Sequence, residues 1–435
     1  MTEMNTPAKT VAFHTVGCKL NFSETASILR DFLAHGFQLV DIKDSADIYV
    51  LNTCTVTDNA DKDCRKFVRQ VKKRAPEAFI ALVGCYSQLK PDEVAQIPGV
   101  DAVLGMDEKM EIFNHLADFK RPKKPLVLTK PVETLNSFFP SYSAGERTRA
   151  FLKVQDGCDY NCSFCTIPKA RGRSRSDTII KTLKVAREVA ATNVREIVLT
   201  GVNLGDFGSG NGETFFQLMQ ELDVLEGLDR IRISSIEPNL LNNYMIDFVA
   251  QSDKFVPHFH IPLQSGSNKI LKDMRRRYKR EDYADRISWI KTTLPEACIG
   301  ADVIVGFPSE SDSDFMDTYE FINDLDISYL HVFSYSERDD TKALDFKNVV
   351  EKSVKKERSK MLHILSDKKR RYFHEQFIGT SRLVLFESFS AGLLLGHTDN
   401  YIKVSAEGGR SQINEISSTS LDTNKTHYIS GTIQI

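Results

Sequence analysis

The sequence predicts two α/β parts followed by an all-β end, and three observations predict it. Residues 11 to about 118 alternate short apolar runs with helix-like segments, and residues 147 to about 340 repeat that rhythm through six strand candidates. The last sixty residues replace it with short alternating strands and no helical stretch. Apolar runs separated by amphipathic segments pack as parallel strands covered by helices. Six units fall short of the eight that close a full barrel, so the middle part is expected to be a partial, TIM-like (β/α)6 barrel. Alternation without helices closes instead as a small β-barrel.

In the amino-terminal part, taken as residues 9–119, the runs are Val11–Phe13, Asp47–Leu51, Phe79–Val83 and Ala102–Leu104. A helix is expected between the first two, with Ser23 as N-cap, Ile28, Leu29, Phe32 and Leu33 on one face, and Gly36 as terminator. Cys18, Cys54 and Cys85 each follow the end of a strand, at spacings of 36 and 31 residues, the repeat of a βα unit. Open parallel sheets carry their sites along that carboxyl edge. The three thiols are therefore expected to meet there as ligands of one iron–sulfur cluster, the competing reading being three buried strand-end cysteines. Gly17 and Gly84 would let the backbone approach the metal. Cys64 lies in a helical stretch and Cys298 precedes a strand, so both read as core.

Residues 120–146 hold Pro122, Pro125, Pro131 and Pro140 with little periodicity and read as a linker. Strands are then expected over 150–155, 196–200, 230–236, 258–262, 299–305 and 329–334 of a barrel taken as residues 147–375, with a final domain over 376–435. Just after the first strand stands Gln155-Asp156-Gly157-Cys158-Asp159-Tyr160-Asn161-Cys162-Ser163-Phe164-Cys165. Three thiols in one eight-residue loop converge on one small object. An iron–sulfur cubane is the simplest, and three protein ligands leave its fourth iron open for chemistry. A zinc site competes, but structural zinc takes four ligands, catalytic zinc usually recruits His, and none lies near this loop. Buried structural cysteines fit poorly with Asp159, Asn161 and Ser163. The other strand ends, Thr200–Asn203, Ser234–Pro238, Pro262–Gly266 and Val305–Pro308, supply small and polar residues suited to a nucleoside and an amino acid.

A net charge of −2 over 435 residues excludes an argument for nucleic acid from global charge. Local runs restore it: residues 272–280 carry six Lys/Arg against one acid, and 351–371 carry nine against three. With Lys169, Arg171, Arg173 and Arg175 beside the cysteine loop, a polyanionic partner is expected, with Arg171, Arg173, Arg275, Arg276 and Arg277 as its contacts. Residues 376–435 hold four basic and five acidic residues, so that domain could grip RNA only through shape, Tyr401, His397 or backbone. The polar opening Met1–Thr6 lacks the core of a signal peptide, and no run approaches membrane-spanning length. A cytoplasmic protein whose eight cysteines are reduced thiols and metal ligands is expected.

The C-x3-C-x2-C loop resembles that of the radical S-adenosylmethionine (SAM) enzymes. The longer run from Arg147 through Cys158, with Ile167-Pro168-Lys169-Ala170-Arg171-Gly172-Arg173-Ser174-Arg175-Ser176 after it, resembles the methylthiotransferases. Phe377–Gly379 and Gly396–Val404 resemble the TRAM domain, an RNA-binding barrel of tRNA-modifying enzymes. Within the family, Gly17–Asn21, Asn52–Thr57, Ser234–Pro238 and Met274–Tyr278 are similar to the branch acting on N6-threonylcarbamoyladenosine at position 37 of tRNA. The resemblance implies two [4Fe–4S] clusters, with the one at Cys158, Cys162 and Cys165 catalytic in cleaving SAM and the other delivering methylsulfide to adenine C2. It implies Gly201 by the methionyl group of SAM and Glu237 and Gln264 near its ribose. It implies the tRNA anticodon loop as substrate, an electron donor such as flavodoxin or ferredoxin, a sulfur donor, and no membrane. The isopentenyladenosine and ribosomal-protein branches are the alternatives within the family. A TRAM-bearing RNA methyltransferase would lack both cysteine sets, and a non-enzymatic electron-transfer or RNA-binding iron–sulfur protein would have no reason to leave each cluster one ligand short.

Overall fold

In the computed structural model each apolar run of the amino-terminal part becomes a strand of one parallel sheet. Its strands are β1 (Thr10–Thr15), β2 (Gln38–Leu39), β3 (Ile48–Thr53), β4 (Phe79–Gly84), β5 (Ala102–Leu104) and β6 (Leu126–Leu128), in the order β2-β1-β3-β4-β5-β6. Every residue of β3 and β4 is buried, as two covered faces require of a near-continuous apolar run. Cys64, Val68 and Val71 of helix Asp58–Arg74 cover one face; Ile28 and Phe32 of helix Lys19–Ala34 cover the other. The latter helix starts earlier than its sequence suggests, with Cys18 and not Ser23 at the N-cap. Gly17, at φ +111°, turns the chain off β1 directly into it, and the Ser23 hydroxyl donates back to the Leu20 carbonyl inside the first turns. Gly36 does follow the helix end, at φ +82°.

The prolines at 122, 125 and 131 flank β6 without interrupting it, so part of the expected linker is the edge strand of this sheet. Next, β7 (Ser141–Tyr142) packs on helix Lys19–Ala34, with the Arg30 guanidinium 3.8 Å over the Tyr142 ring. The structure describes residues 9–54, 58–116, 118–143, 148–425 and 427–434, with the backbone alone for 58–61. Met1–Thr6, Thr55–Thr57 and Arg147, used in the sequence reading, lie outside the described residues.

The chain packs as two units. One comprises residues 1–143 with 156–160 and 165–175; the other comprises 144–155, 161–164 and 176–435. In the second unit all six expected strands form: β8 (Arg149–Lys153), β9 (Glu196–Thr200), β10 (Arg230–Ile233), β11 (His258–His260), β12 (Cys298–Val305) and β13 (Tyr329–Ser334). The parallel pairs β8/β9 and β9/β10 make one half; β11/β12 and β12/β13 make the other. A parallel bridge from Ser235 to His260 joins the halves into a partial (β/α)6 barrel. Thr178, Thr214 and Ser311 cap three of its helices through side-chain oxygens. Cys298 is buried, as expected.

The end of the chain closes as a barrel of β14 (Ser381–Ser390), β15 (Leu393–Thr398), β16 (Lys403–Glu407), β17 (Ile416–Asn424) and β18 (Ile429–Ile433), around Val384, Phe386, Leu394, Val404, Leu421 and Ile429. Among the described residues no helix is long and apolar enough to cross a membrane.

Candidate active site

The first unit gathers Cys18, Cys54 and Cys85 at the carboxyl ends of β1, β3 and β4, which are neighbours in the sheet. Neighbouring strands lie about 4.8 Å apart, so one small object can reach all three thiols. Asn21 ties two of these ends together, its amide donating to the carbonyls of Val16 (2.8 Å) and Thr53 (3.0 Å). Thr53 ties in the third, its hydroxyl donating to Val83 and accepting from the Tyr86 amide. Gly17 abuts Cys54: a β-carbon placed there would stand 2.9 Å from its sulfur. None of the eight cysteines is in a disulfide. Three tied strand-end thiols with a glycine beside them fit a cluster with three protein ligands.

Behind these thiols lies a buried ionic network. The Arg171 guanidinium, 1 % exposed, donates to both carboxylate oxygens of Glu24 (3.0 and 3.1 Å), to Asp156 (2.9 Å) and to the side-chain amide oxygen of Asn21 (2.7 Å). The Lys109 ammonium, fully buried, holds Glu24 at 2.6 Å. Burial pushes the Cys85 thiol up, and Arg171 and Lys109 oppose that shift. Removing one partner from such a network costs about 3–5 kcal/mol. Arg171 is therefore a structural cation and not the RNA contact expected of it.

In the C-x3-C-x2-C loop, Asp156–Tyr160 and Cys165–Arg175 pack with the first unit and Asn161–Phe164 with the second. Gly157, at φ +69°, lies against the Arg173 carbonyl, where a β-carbon would come within 2.0 Å. Asp156 and Arg175 close an antiparallel bridge there. The Tyr160 and Ile167 amides point at the sulfurs of Cys158 and Cys165, each at 3.4 Å. Backbone donors aimed at sulfur suit a ligated thiolate, so this loop fits a cluster too.

Cys162 packs with the second unit. Its sulfur accepts from the Arg276 guanidinium at 3.0 Å, and the same guanidinium is paired with Glu237. Burial pushes the Cys162 thiol up, and Arg276 opposes it. Tyr278 sits at 3.2 Å from Arg276 and donates to the carbonyls that end β11's extension, Pro262 and Leu263. Glu237 and Gln264 thus stand at strand ends as expected, but Glu237 is held by a cation. Arg276 faces Cys162, not solvent, which corrects its assignment to RNA. Gln264 adopts φ +67°, a left-handed conformation that costs a non-glycine residue about 1–3 kcal/mol. Gly201 packs on Gln155, whose buried carbonyl accepts from the Val202 and Asn203 amides and fastens the end of β9 to that of β8.

Sequence reading missed a trio inside the barrel. Asp302 on β12 accepts from His260 on β11 (2.9 Å) and His331 on β13 (3.3 Å). Burial alone would push this carboxyl up, and the two imidazoles override it and hold it well below the usual carboxylate range. Nothing in the sequence marks it; the register of β11, β12 and β13 alone puts the three side chains on one face.

The carboxyl-terminal barrel docks on the partial (β/α)6 barrel through the very residues offered for RNA. Tyr401 lies 4.4 Å from the His258 ring and 4.9 Å from His397, with the Arg232 guanidinium 4.9 Å over it. Arg230 donates to the Leu383 and His397 carbonyls, Arg232 to that of Asp399, and Arg149 pairs with Glu387. Tyr401 and His397 are thereby occupied. Of the basic candidates, Arg173 has a side chain 89 % exposed, and Arg275 and Arg277 are exposed.

Residues 10–105 match the uncharacterized protein family UPF0004, and residues 152–322 match the radical SAM superfamily. The two matches divide the two cysteine sets between them. Threonylcarbamoyladenosine tRNA methylthiotransferase MtaB of Bacillus subtilis (strain 168) is 40 % identical over 94 % of this chain and 92 % of its own. The chain belongs to this methylthiotransferase family. Its relative of the same description in Aquifex aeolicus (strain VF5) is 40 % identical over 92 % of this chain and 97 % of its own; that of Thermotoga maritima is 34 % identical over 92 % of each. In fold, the chain is similar to the radical S-adenosylmethionine methyltransferase TsrM from Kitasatospora setae, solved with tryptophan and a SAM analogue. The TM-score is 0.56 at 12 % identity over 75 % of this chain and 73 % of that one. The family supplies what the cysteines imply: two [4Fe–4S] clusters and SAM.

Proposed function

We propose that this protein converts N6-threonylcarbamoyladenosine at position 37 of tRNA to its 2-methylthio derivative. The observation that carries the reading is the presence of two separate sets of three cysteines, one at the ends of neighbouring parallel strands and one in the C-x3-C-x2-C loop after β8, each one ligand short of a closed cubane. Cys158, Cys162 and Cys165 hold the cluster that supplies the electron for SAM cleavage, and Cys18, Cys54 and Cys85 hold the one that supplies sulfur.

The chain's own residues do the rest. Arg276 keeps Cys162 and Glu237 in place, and Gly201, packed on Gln155, borders the methionyl group. Glu237 and Gln264 border the ribose. Arg173, Arg275 and Arg277 meet the phosphates of the anticodon loop, whose unpaired bases can be splayed toward the barrel. The reaction takes place in the cytoplasm, with electrons from flavodoxin or ferredoxin and sulfur from a separate donor.

Mass spectrometry of tRNA nucleosides from cells lacking the protein tests this. The 2-methylthio form of threonylcarbamoyladenosine should disappear and its precursor remain. Loss of methylthio-isopentenyladenosine instead would move the protein to the neighbouring branch.

A further inference from the structure

Arg171 joins residues that flank both cysteine sets. On one side it holds Asn21 and Glu24, three and six residues after Cys18; on the other it holds Asp156, two residues before Cys158. Asn21 is the residue that ties the ends of β1 and β3, and its carbonyl oxygen faces the Cys18 sulfur at 3.9 Å. Asp156 in turn accepts from the Gly157 amide with the oxygen that takes Arg171, and it takes Arg175 with the other. Arg171 itself ends a five-residue helix, Ile167–Arg171, that begins two residues after Cys165, and Ala170 of that helix packs on Cys85. The chain leaving the loop thus returns to the sheet edge at this residue.

We propose that Arg171 is a positioning residue that locks the Cys158/Cys165 segments to the Cys18/Cys54/Cys85 site, so that sulfur transfer stays coupled to radical generation. This rests on the methylthiotransferase reading. A planar guanidinium presents several donors in a fixed fork and can satisfy Asn21, Glu24 and Asp156 together, which a lysine ammonium on a flexible stem cannot. Arg171, Glu24, Lys109 and Asp156 are buried, and the carboxylates are outnumbered. Glu24 and Asp156 face Lys109, Arg171 and Arg175, which leaves one positive charge in excess beside thiolates that carry negative charge when ligated. Misplacing reacting groups by about 1 Å can cost about 10²-fold in rate, so a loosened lock should show first in coupling.

The test uses the full chain, anaerobically reconstituted, as Arg171→Lys and Asp156→Asn. Asp156→Asn removes the charge from the loop side of the link, weakening it there only, and leaves Arg171, Glu24 and Lys109 together. Both variants should keep about eight irons and still cleave SAM, but should form at least about tenfold less methylthiolated nucleoside per 5′-deoxyadenosine. Hydrogen exchange should quicken at the amides of residues 157–158 and 165–172 in Asp156→Asn, with residues 16–25 unchanged. An unchanged product ratio and unchanged exchange in both variants would overturn the proposal. Loss of iron from both sites in Asp156→Asn would also overturn it, because the network would then be a folding element alone. If the wild-type protein does not methylthiolate tRNA, the functional reading fails by itself, and the exchange experiment still decides the lock.

Discussion

Replacing Gly17 by alanine should empty the site of Cys18, Cys54 and Cys85 while the loop site stays loaded. Two effects act at this position. Its φ of +111° belongs to glycine, and a residue with a side chain held there costs about 1–3 kcal/mol. The added β-carbon would also stand 2.7 Å from the Cys54 β-carbon and 2.9 Å from its sulfur. Carbon atoms rest near 3.7 Å, so Cys54 must retreat by about 1 Å. Metal ligands hold position to about 0.2 Å, and a retreat of that size breaks ligation. Gly36 supplies the control: at φ +82° with nothing within 4 Å of an added β-carbon, Gly36→Ala meets the backbone cost, about 1 kcal/mol, without the collision. The assay is iron and sulfide analysis with Mössbauer spectroscopy after anaerobic reconstitution, alongside denaturant midpoints. Gly17→Ala should fall from about eight irons to about four, and Gly36→Ala should keep about eight. Full loading of Gly17→Ala, or equal iron loss in both, would refute the placement of Gly17 against a cluster ligand.

Three further outcomes are expected. Arg275→Ala with Arg277→Ala should weaken tRNA binding and lower its salt slope by about one per lost phosphate contact, measured by titration over a range of salt; an unchanged slope would make both residues solvent-facing bystanders. Tyr401→Ala should destabilise the second unit by about 3–5 kcal/mol in denaturant unfolding, because a packed ring is removed from the junction with His258 and Arg232; a loss of tRNA affinity at unchanged stability would restore Tyr401 to RNA. The third concerns acid. Burial alone would push the Glu196 carboxyl up, and Arg232 overrides it and holds it down to about 2 from an ordinary 4.5. A carboxyl depressed on folding stabilises above its unfolded value, so about 3 kcal/mol should be present at neutral pH and lost as pH falls from about 4.5 toward 2. Glu196→Gln should flatten that part of a stability-against-pH curve.

The strand pattern was legible because burial on both faces leaves long apolar runs, and β3, β4 and β9 stand where those runs stand. Cys18, Cys54 and Cys85 could be placed at one edge because connectivity alone sends every parallel strand's end the same way. In the final barrel, Leu393–Thr398 and Ile416–Asn424 carry little strand signal. The first is an apolar trio running into Gly396, and the second is mostly serine and threonine, so neither alternates clearly. Ser23 was misread because a serine inside a helix and a serine at its cap look alike without knowing where Gly17 turns the chain. The Asp302 trio was out of reach for a different reason: its members are 42 and 29 residues apart, and only the β11/β12/β13 register brings them together.

The arginines show where charge patterns mislead and why. A basic residue beside a cluster motif has two competing duties, gripping a polyanion outside or neutralising ligands inside, and composition does not separate them. Local geometry does. Ile167–Arg171 is a single turn of helix whose Ala170 and Arg171 are buried, and the chain leaves it at Gly172 with φ +76°, so Arg173 emerges two residues later with its side chain 89 % exposed. In the second run, Arg276 lies between two exposed arginines, and Tyr278 beside it is buried. An inward residue every second position along an irregular backbone is the same signal that marks a half-buried strand. Each three-cysteine site thus has its own buried guanidinium, Arg171 behind Cys18 and Arg276 at Cys162. Such a cation suits the buried Cys85 and the half-buried Cys162, since a buried negative charge without a partner costs more than the cation does. The exposed neighbours of these two residues, and not the whole basic runs, are the surface proposed for RNA.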